Sequence, residues 1–242
     1  MQIFYLILFI IIALLSGYLI GSISFAVLIT KHLYSIDIYK VGSGNAGGTN
    51  VGRAIGKPGA YAVIVLDALK CMIPIWIWFA LFTFTPLNQI IPSSVPIAFI
   101  YYTAGVGAGI GHTFPLYHKF KGGKAVSCYL GFVAGTNPFL LVIGLPLFFL
   151  IFFISKRVSI GSIIMVVFGL LYSIIAAIYF QAFEWTFLFG QGYKLDGTYV
   201  YSIYMLFYAL FIIFMHRSNI SRIINHTEPE THYKKREKKS KN

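Results

Sequence analysis

The sequence has few charged residues and very few acidic ones. Only 11% of its 242 residues are Asp, Glu, Lys or Arg, and seven of these are acidic. A soluble domain usually carries about 25% charged residues, so the composition excludes an ordinary soluble domain. The hydrophobic share of 58% and the mean hydropathy of +0.78 instead indicate a chain that crosses a membrane several times.

Cysteines and clustered carboxylates are also scarce. Cys71 and Cys128 lie far apart in apolar surroundings, which predicts two small buried side chains rather than a disulfide framework or a metal site. No group of carboxylates suited to a metal ion occurs in the sequence. The run Gly105–Gly109 lacks the strand–turn–helix context of a nucleotide-binding motif. We therefore expect neither a metal nor a cofactor.

Long apolar runs predict membrane-spanning helices, because about 20 apolar residues cross a hydrocarbon core of about 30 Å. The runs cover residues 3–30, 58–84, 94–111, 125–136, 138–155, 159–182 and 198–216. The fourth is short and ends where Asn137-Pro138 breaks the chain. No basic residue precedes Lys31, so the first run is expected to remain as a spanning helix rather than to be a cleaved signal. The prediction is an all-α, polytopic integral membrane protein with about seven transmembrane helices.

The basic residues predict the orientation of these helices. With the N-terminus outside and the C-terminus in the cytoplasm, 17 of the 19 Lys and Arg residues fall on the cytoplasmic side, as the positive-inside rule requires. Lys194 alone falls outside, and Lys70 lies within the second span. The net charge of +12 therefore predicts contact with membrane lipids rather than with nucleic acid. The segments 40–57, 111–124, 155–162 and 216–228 then share one side and are expected to build one site.

The first of these segments holds the glycine-rich stretch Gly42–Arg53. Its glycines allow backbone N–H groups to converge on an anion, and Arg53 offers a fork of five donors. The alternative is a flexible loop whose glycines only turn the chain. The candidate anion-binding residues here are Gly42, Ser43, Gly44, Asn45, Thr49, Asn50 and Arg53.

The second segment ends in Gly122-Gly123-Lys124, directly before the short fourth helix. Backbone N–H groups, a helix N-terminus and an ammonium group together favour a phosphate. The spacing is not that of a Walker P-loop. Lys119 and Lys121 are explained equally well as interfacial charges, and His112 is expected to be a structural hydrogen-bonding residue.

Three further groups complete the candidate site. Asp67 and Lys70 share a helix face inside the second span, where charged groups are costly and usually paired or functional; an ion pair and direct substrate contact both remain open. His216 and Asn219 have the same spacing just past the last span and are expected to face the site. Ser159 is either a phosphate donor or a helix N-cap.

Three long motifs in order resemble the bacterial acyl-phosphate:glycerol-3-phosphate acyltransferases, the PlsY family. They are GSGNAGGTNVGR (42–53), GHTFPLYHKFKGGKAV (111–126) and HRSNISRIINHTE (216–228). The resemblance runs from about residue 17 to 228. Departures are Gly48 where the family commonly has alanine, Ala125 and Cys71 where it has glycine, and Met215 where it has arginine.

The resemblance implies transfer of a fatty acyl group from acyl phosphate to the 1-hydroxyl of glycerol 3-phosphate in the plasma membrane of a bacterium. It assigns the catalytic roles to Ser43, Arg53, Lys124, His216 and Asn219, phosphate binding to Gly122 and Gly123, and a structural role to Glu228. A soluble enzyme that produces acyl phosphate is an expected partner. The domain prediction is an acyltransferase domain over 1–228, followed by a basic tail over 229–242 that binds anionic lipid.

Two other functions compete with this interpretation. A transporter of a small anionic solute would need polar groups through the full membrane depth, whereas here they cluster on one side. A catalytically silent lipid-binding relative would not be expected to retain all five of the catalytic candidates.

Overall fold

The computed structural model describes residues 1–179 and 198–232, and all regular structure within them is helical. The α-helices are α1 (Gln2–Gly21), α2 (Phe25–Tyr34), α3 (Gly48–Ile55), α4 (Lys57–Phe84), α5 (Ala98–Thr113), α6 (Val126–Thr136), α7 (Pro138–Ser155), α8 (Val158–Tyr179), α9 (Thr198–Met215) and α10 (Arg217–Ile224). The predicted outer loop 183–197 with Lys194, and the tail lysines from Lys234 onward, lie outside the described residues.

Within the described ranges, four helical stretches are long and apolar enough to cross a membrane. They are Gln2–Tyr34, Lys57–Phe84, Pro138–Ser155 and Val158–Ile178; the pair α9 and α10, bent by 61°, makes a fifth if it is counted as one span. At 1.5 Å per residue, α5 is about 24 Å long and α6 about 16 Å, both shorter than the hydrocarbon core. The predicted number of seven spans therefore stays a prediction.

The first apolar run forms two helices instead of the single continuous helix predicted over 3–30, and Gln2–Tyr34 as a whole is long and apolar enough to span a membrane. The hydroxyl oxygen of Ser24 accepts a hydrogen bond from the backbone N–H of Val27 and caps the start of α2. The break frees the carbonyl of Ile23 from helical hydrogen bonding, and Lys70 Nζ donates to that carbonyl at 2.6 Å. A cation from the middle of α4 thus stabilises the break.

Helix α5 is almost entirely buried, because small residues let α1 pack against its backbone. A Cβ atom on Gly17 would lie 2.0 Å from the carbonyl oxygen of Ala104, and one on Gly107 would lie 2.2 Å from that of Leu14. Only small residues permit such close approach of two helices in a membrane. This packing fixes the end of α5, where the second motif begins.

Aromatic side chains hold α6 against α9. The rings of Phe132 and Tyr201 stack with centroids 6.0 Å apart, and Tyr208 Oη donates to the carbonyl of Gly105 at 2.8 Å. Phe132 and Tyr208 are fully buried. Burial of large rings in such contacts stabilises the pairing. Tyr129 near the start of α6 also meets Tyr208 in the second half of α9, with ring centroids 5.9 Å apart.

Candidate active site

A cavity of about 860 Å³ lies where the four predicted segments meet. Its wall comes from the starts of α4, α6 and α8, the last turn of α5, α7, α3, α10 and His216 at the bend between α9 and α10. The predicted site residues that line it are Gly42, Ser43, Asn45, Thr49, Asn50, Arg53, Gly123, Lys124, Ser159, His216, Asn219 and Glu228. Gly44, Gly122, Asp67 and Lys70 do not line it.

The side chain of Asn50 organises the first motif. Its Oδ1 accepts the backbone N–H of Ser43 at 2.9 Å, and its Nδ2 donates to the carbonyls of Ile38, Val41 and Asn45 at 2.8–3.1 Å. These bonds engage both ends of the amide, and Asn50 is only 2% exposed. Its place in the motif is therefore explained by loop geometry, although the sequence predicted a phosphate contact.

The second half of this motif is helical, and Arg53 lies in the last turn of α3. Gly42 has a φ of +57°, and a Cβ there would lie 2.3 Å from Asn50 Oδ1. Glycine is thus required both by conformation and by the approach of the Asn50 side chain. The turn brings Ser43 into the same wall as Arg53.

The second motif wraps around His112 at the end of α5. The backbone N–H of Gly123 donates to the carbonyl of His112 at 3.1 Å. A Cβ on Gly122 would lie 2.0 Å from that same carbonyl oxygen, which explains this glycine by packing, away from the cavity. The wrap ends at Lys124, immediately before α6.

A hydrogen-bonded chain joins Lys124 to the third motif. Lys124 Nζ donates to Asn219 Oδ1, and Asn219 Nδ2 donates to Glu228 Oε1 at 2.6 Å. Asn219 and Glu228 are each only 7% exposed. The Asn219 amide therefore links the buried carboxylate of Glu228 to the ammonium group of Lys124 and orients it.

Glu228 is the centre of this network. Its carboxylate also accepts hydrogen bonds from Ser159 Oγ and from Arg222 Nε, both at 2.7 Å. Arg157 Nε donates to the backbone carbonyl of Glu228 at 2.8 Å. Ser159 lies one residue inside α8, so it is not the N-cap of that helix, and its hydroxyl proton is held by Glu228.

Burial sets the charges of this network. It lowers the pKa of the Lys124 ammonium from 10.5 to about 8; the charge of Glu228 raises that pKa, whereas Arg222 and Arg53 lower it. Burial also raises the pKa of Glu228, but the hydrogen bonds from Ser159, Asn219 and Arg222 outweigh it and leave that pKa below 4.5. Near pH 7 the site therefore holds cationic Lys124 and Arg53 beside a carboxylate that already has its partners.

His216 lies at the bend between α9 and α10 and is 4% exposed. Its Nδ1 is 2.8 Å from the carbonyl of Ile212. A carbonyl only accepts, so Nδ1 carries the proton and Nε2 is left as the free nitrogen. Burial and the charge of Lys124 lower the pKa of His216 to about 4, so its imidazole is neutral at pH 7.

Asp67 and Lys70 form a buried ion pair behind the cavity. Lys70 Nζ lies 2.8 Å from Asp67 Oδ1, and the two side chains are 3% and 1% exposed. Neither side chain lines the cavity. Of the two alternatives, the structure shows the ion pair.

The cavity continues from its cationic end along an apolar wall. This part is formed by Ile64 of α4, Leu130 of α6, Leu145, Phe148, Phe149 and Phe152 of α7, and Met165 of α8. Apolar and cationic surfaces in one cavity suit an amphipathic ligand.

Residues 11–226 of the chain match the family described as glycerol-3-phosphate acyltransferase. The chain belongs to this family. A protein of that name from Mycoplasma capricolum is 36% identical over 94% of this chain and 95% of its own. Similar proteins from Bacillus cereus and Staphylococcus haemolyticus are 33% and 35% identical, covering 92% and 91% of this chain and 95% and 97% of theirs.

Solved structures of the family agree with this fold. The crystal structure of PlsY, an integral membrane glycerol 3-phosphate acyltransferase, is similar in its glycerol 3-phosphate form with a TM-score of 0.71 and 29% identity, over 92% of this chain and 96% of that one. Its lysophosphatidic acid form gives 0.69 and 28%, over 91% and 94%. The predicted family and the predicted all-helical membrane class are confirmed, and the protein is a bacterial membrane protein.

One departure from the family pattern has a structural cost. Ala125, where the resemblance indicates glycine, has a φ of +60° directly before α6. This conformation costs a non-glycine residue roughly 1–2 kcal/mol. The buried Ala125 methyl group recovers about 0.8 kcal/mol of that cost.

Besides the apolar wall, the sequence left His112, Arg222 and residues 229–231 unassigned to the site. His112 lines the cavity, although it was expected to be structural, and Arg222 of the third motif lines it as well. Residues 229–231 also line it, and the backbone N–H of Thr231 donates to the carbonyl of Lys156 at 2.9 Å. The wall thus extends three residues beyond the predicted domain boundary at 228. The predicted site residue Glu228, directly before this segment, could have indicated that the site continues there.

Proposed function

We propose that the protein transfers the acyl group of an acyl phosphate to the 1-hydroxyl of glycerol 3-phosphate, which is the first acylation step of phospholipid synthesis. The observation that carries the proposal is one cavity whose cationic end, with Arg53 and Lys124, continues into an apolar wall. The cations suit the two phosphate groups, and the apolar wall suits a fatty acyl chain. The products are lysophosphatidic acid and phosphate.

The reaction needs positioning more than it needs a strong nucleophile. An acyl phosphate is a mixed anhydride, so its phosphate leaves readily once the glycerol hydroxyl oxygen attacks the carbonyl carbon. The new C–O bond replaces the bond from the carbonyl carbon to the bridging oxygen, and phosphate departs with that electron pair. Holding two anions together against their repulsion is then the main task, and Arg53 and Lys124 perform it.

Direct transfer without an acyl-enzyme fits the surroundings of Ser43. A nucleophilic serine needs a base within hydrogen-bonding reach, and Ser43 Oγ donates to none of the side chains in the described residues. Ser43 instead supplies a free hydroxyl to a substrate phosphate. The proton of the attacking hydroxyl has two possible acceptors, His216 Nε2 and a substrate phosphate.

The relative basicity of these acceptors favours the phosphate. The pKa of His216 is about 4, whereas the second pKa of a phosphate monoester is about 6. The phosphate is therefore the stronger base by roughly a hundredfold, and His216 Nε2 can only accept a hydrogen bond, for example from the attacking hydroxyl. The distribution of Lys and Arg supports a site at the cytoplasmic face of the plasma membrane, where a soluble enzyme can supply acyl phosphate.

Transport of a small anion is less well supported. Polar side chains of the cavity wall come from helix ends, such as Ser127 at the start of α6 and Ser162 near the start of α8. A transport path would require them at the middle of the spans as well.

The test uses purified protein in detergent with glycerol 3-phosphate and either acyl phosphate or acyl-CoA. Lysophosphatidic acid is expected from acyl phosphate only. Arg53→Ala should lower the rate at least 100-fold while the protein still inserts into membranes and elutes as a single species. Product from acyl-CoA alone, or no product at all, would refute the assignment. Mass spectrometry of a single turnover that detected acylated Ser43 would refute direct transfer.

A further inference from the structure

His112 occupies a position in the cavity wall that the reaction described above does not use. It lies in the last turn of α5, is 6% exposed and lines the cavity beside Gly123 and Lys124. The two ring nitrogens of this side chain have different surroundings.

The Nδ1 side of the ring faces a fixed anion. Nδ1 lies 3.6 Å from Asp67 Oδ1, and the same oxygen is 2.8 Å from Lys70 Nζ. Lys70 Nζ in turn donates to the carbonyl of Ile23. At 3.6 Å the contact between Nδ1 and this carboxylate is electrostatic rather than a hydrogen bond. The ion pair behind the cavity therefore presents a negative charge to the Nδ1 side of the imidazole.

The Nε2 side faces the glycine pair of the second motif. A Cβ on Gly123 would lie 2.1 Å from Nε2, so any side chain at this position would displace the ring. Nε2 forms no hydrogen bond within residues 1–179 and 198–232. It is not among the fully buried side-chain atoms of these residues that lack a partner, and His112 lines the cavity, so Nε2 is accessible to a ligand there.

We propose that His112 is a substrate-binding residue whose Nε2–H donates to a phosphate oxygen. The ligand is a phosphate group, either that of glycerol 3-phosphate or that of acyl phosphate, and the inference rests on the proposed function. With its proton on Nε2, the imidazole donates to a phosphate oxygen on the cavity side, while its Nδ1 side stays 3.6 Å from Asp67 Oδ1. Gly123 is then required because it leaves Nε2 open to the cavity beside Lys124.

Two amide substitutions separate this role from a purely structural one. In His112→Asn the side-chain NH₂ takes the place of Nδ1, which keeps the contact with Asp67 and removes the donor on the cavity side. In His112→Gln the NH₂ reaches the place of Nε2, which keeps the donor and loosens the contact with Asp67. KM for each substrate, kcat, melting temperature and equilibrium binding of glycerol 3-phosphate are measured for both variants in detergent.

The Asn variant should raise KM for one phosphate substrate by about tenfold or more, as expected for loss of a charge-assisted hydrogen bond, with a melting temperature near that of the wild type. The Gln variant should stay within about threefold of wild-type KM. The substrate whose KM rises identifies the phosphate that His112 holds. The matched control is His118→Asn, in the same segment but outside the cavity wall, and it should leave both KM values unchanged.

Wild-type KM in the Asn variant, or a larger loss in Gln than in Asn, would overturn the proposal and assign His112 to packing against Asp67. Failure of the proposed function is a separate result, because it would appear as an inactive wild-type protein. In that case the binding of glycerol 3-phosphate and of inorganic phosphate still decides whether His112→Asn loses a phosphate contact.

Discussion

Removing the charge of Glu228 should shift the pH dependence of the reaction. Lys124 binds a phosphate only as the ammonium ion, and its pKa is about 8. For the wild type, kcat/KM for glycerol 3-phosphate should therefore be level between about pH 7, where the phosphate base with its second pKa of about 6 is deprotonated, and about pH 8, and fall about tenfold per unit above that. Glu228 raises the pKa of Lys124, so Glu228→Gln should move this decline to lower pH.

The size of the shift follows from the chain Lys124–Asn219–Glu228. Two hydrogen bonds and one amide separate the charges, which places them roughly 7 Å apart. At an effective dielectric constant of about 20, two unit charges at this distance interact by about 2 kcal/mol. That corresponds to between about one and two pH units.

The assay is kcat/KM for glycerol 3-phosphate from pH 6 to pH 10, corrected for spontaneous hydrolysis of acyl phosphate. Arg222→Gln supplies a shift of opposite sign, because Arg222 lowers the pKa of Lys124. Asp37→Asn makes the same carboxylate-to-amide change at an exposed residue outside the cavity wall and should leave the profile unchanged. An unmoved profile in Glu228→Gln, or shifts of the same sign in both charge variants, would refute the reasoning.

Two further predictions concern the support of the site. Lys70→Met leaves Asp67 buried without its cation and should destabilise the protein by about 3–5 kcal/mol, seen as a lower melting temperature in detergent; adding Asp67→Asn should restore most of the loss, and no restoration would contradict an ion pair. Gly123→Ala should lower kcat/KM at least tenfold, because its Cβ would displace the ring of His112. Its control is Gly144→Ala, whose Cβ would meet its nearest neighbour at an ordinary 3.9 Å; equal activity of the two variants would contradict this account.

The sequence predicted the helices whose ends coincide with changes in polarity. The apolar run 138–155 is α7 as observed, because Asn137-Pro138 and Lys156 end it on both sides. The break after α1 was not predictable, since Ser22 and Ser24 interrupt the apolar run only weakly. A hydrogen bond from Lys70, 47 positions away from Ile23, stabilises that break.

Short polar helices were also missed. Helix α3 contains glycine, threonine and asparagine, which have low helix propensity, so no helix was predicted over Gly48–Ile55. Packing against α4 and the hydrogen bonds of Asn50 stabilise it instead. Propensity describes only local preference, and this helix depends on tertiary contacts.

It was predictable from the sequence that four segments build one site, because the positive-inside rule predicts that they share one side of the membrane. It did not predict which side chains contact each other there. Lys124 and Asn219 are 95 positions apart, and Ser159 and Glu228 are 69 apart. Such contacts depend on how the helix ends converge, so the network around Glu228 is visible only in the folded chain.

The most direct test of the central claim is a time course that measures lysophosphatidic acid and released phosphate in the same reaction of the purified protein. Direct transfer from acyl phosphate to glycerol 3-phosphate predicts one phosphate released for each lysophosphatidic acid formed, from the first turnover onward. The account predicts neither product above background with Arg53→Ala. A burst of phosphate without lipid product, or lipid product without phosphate, would contradict it.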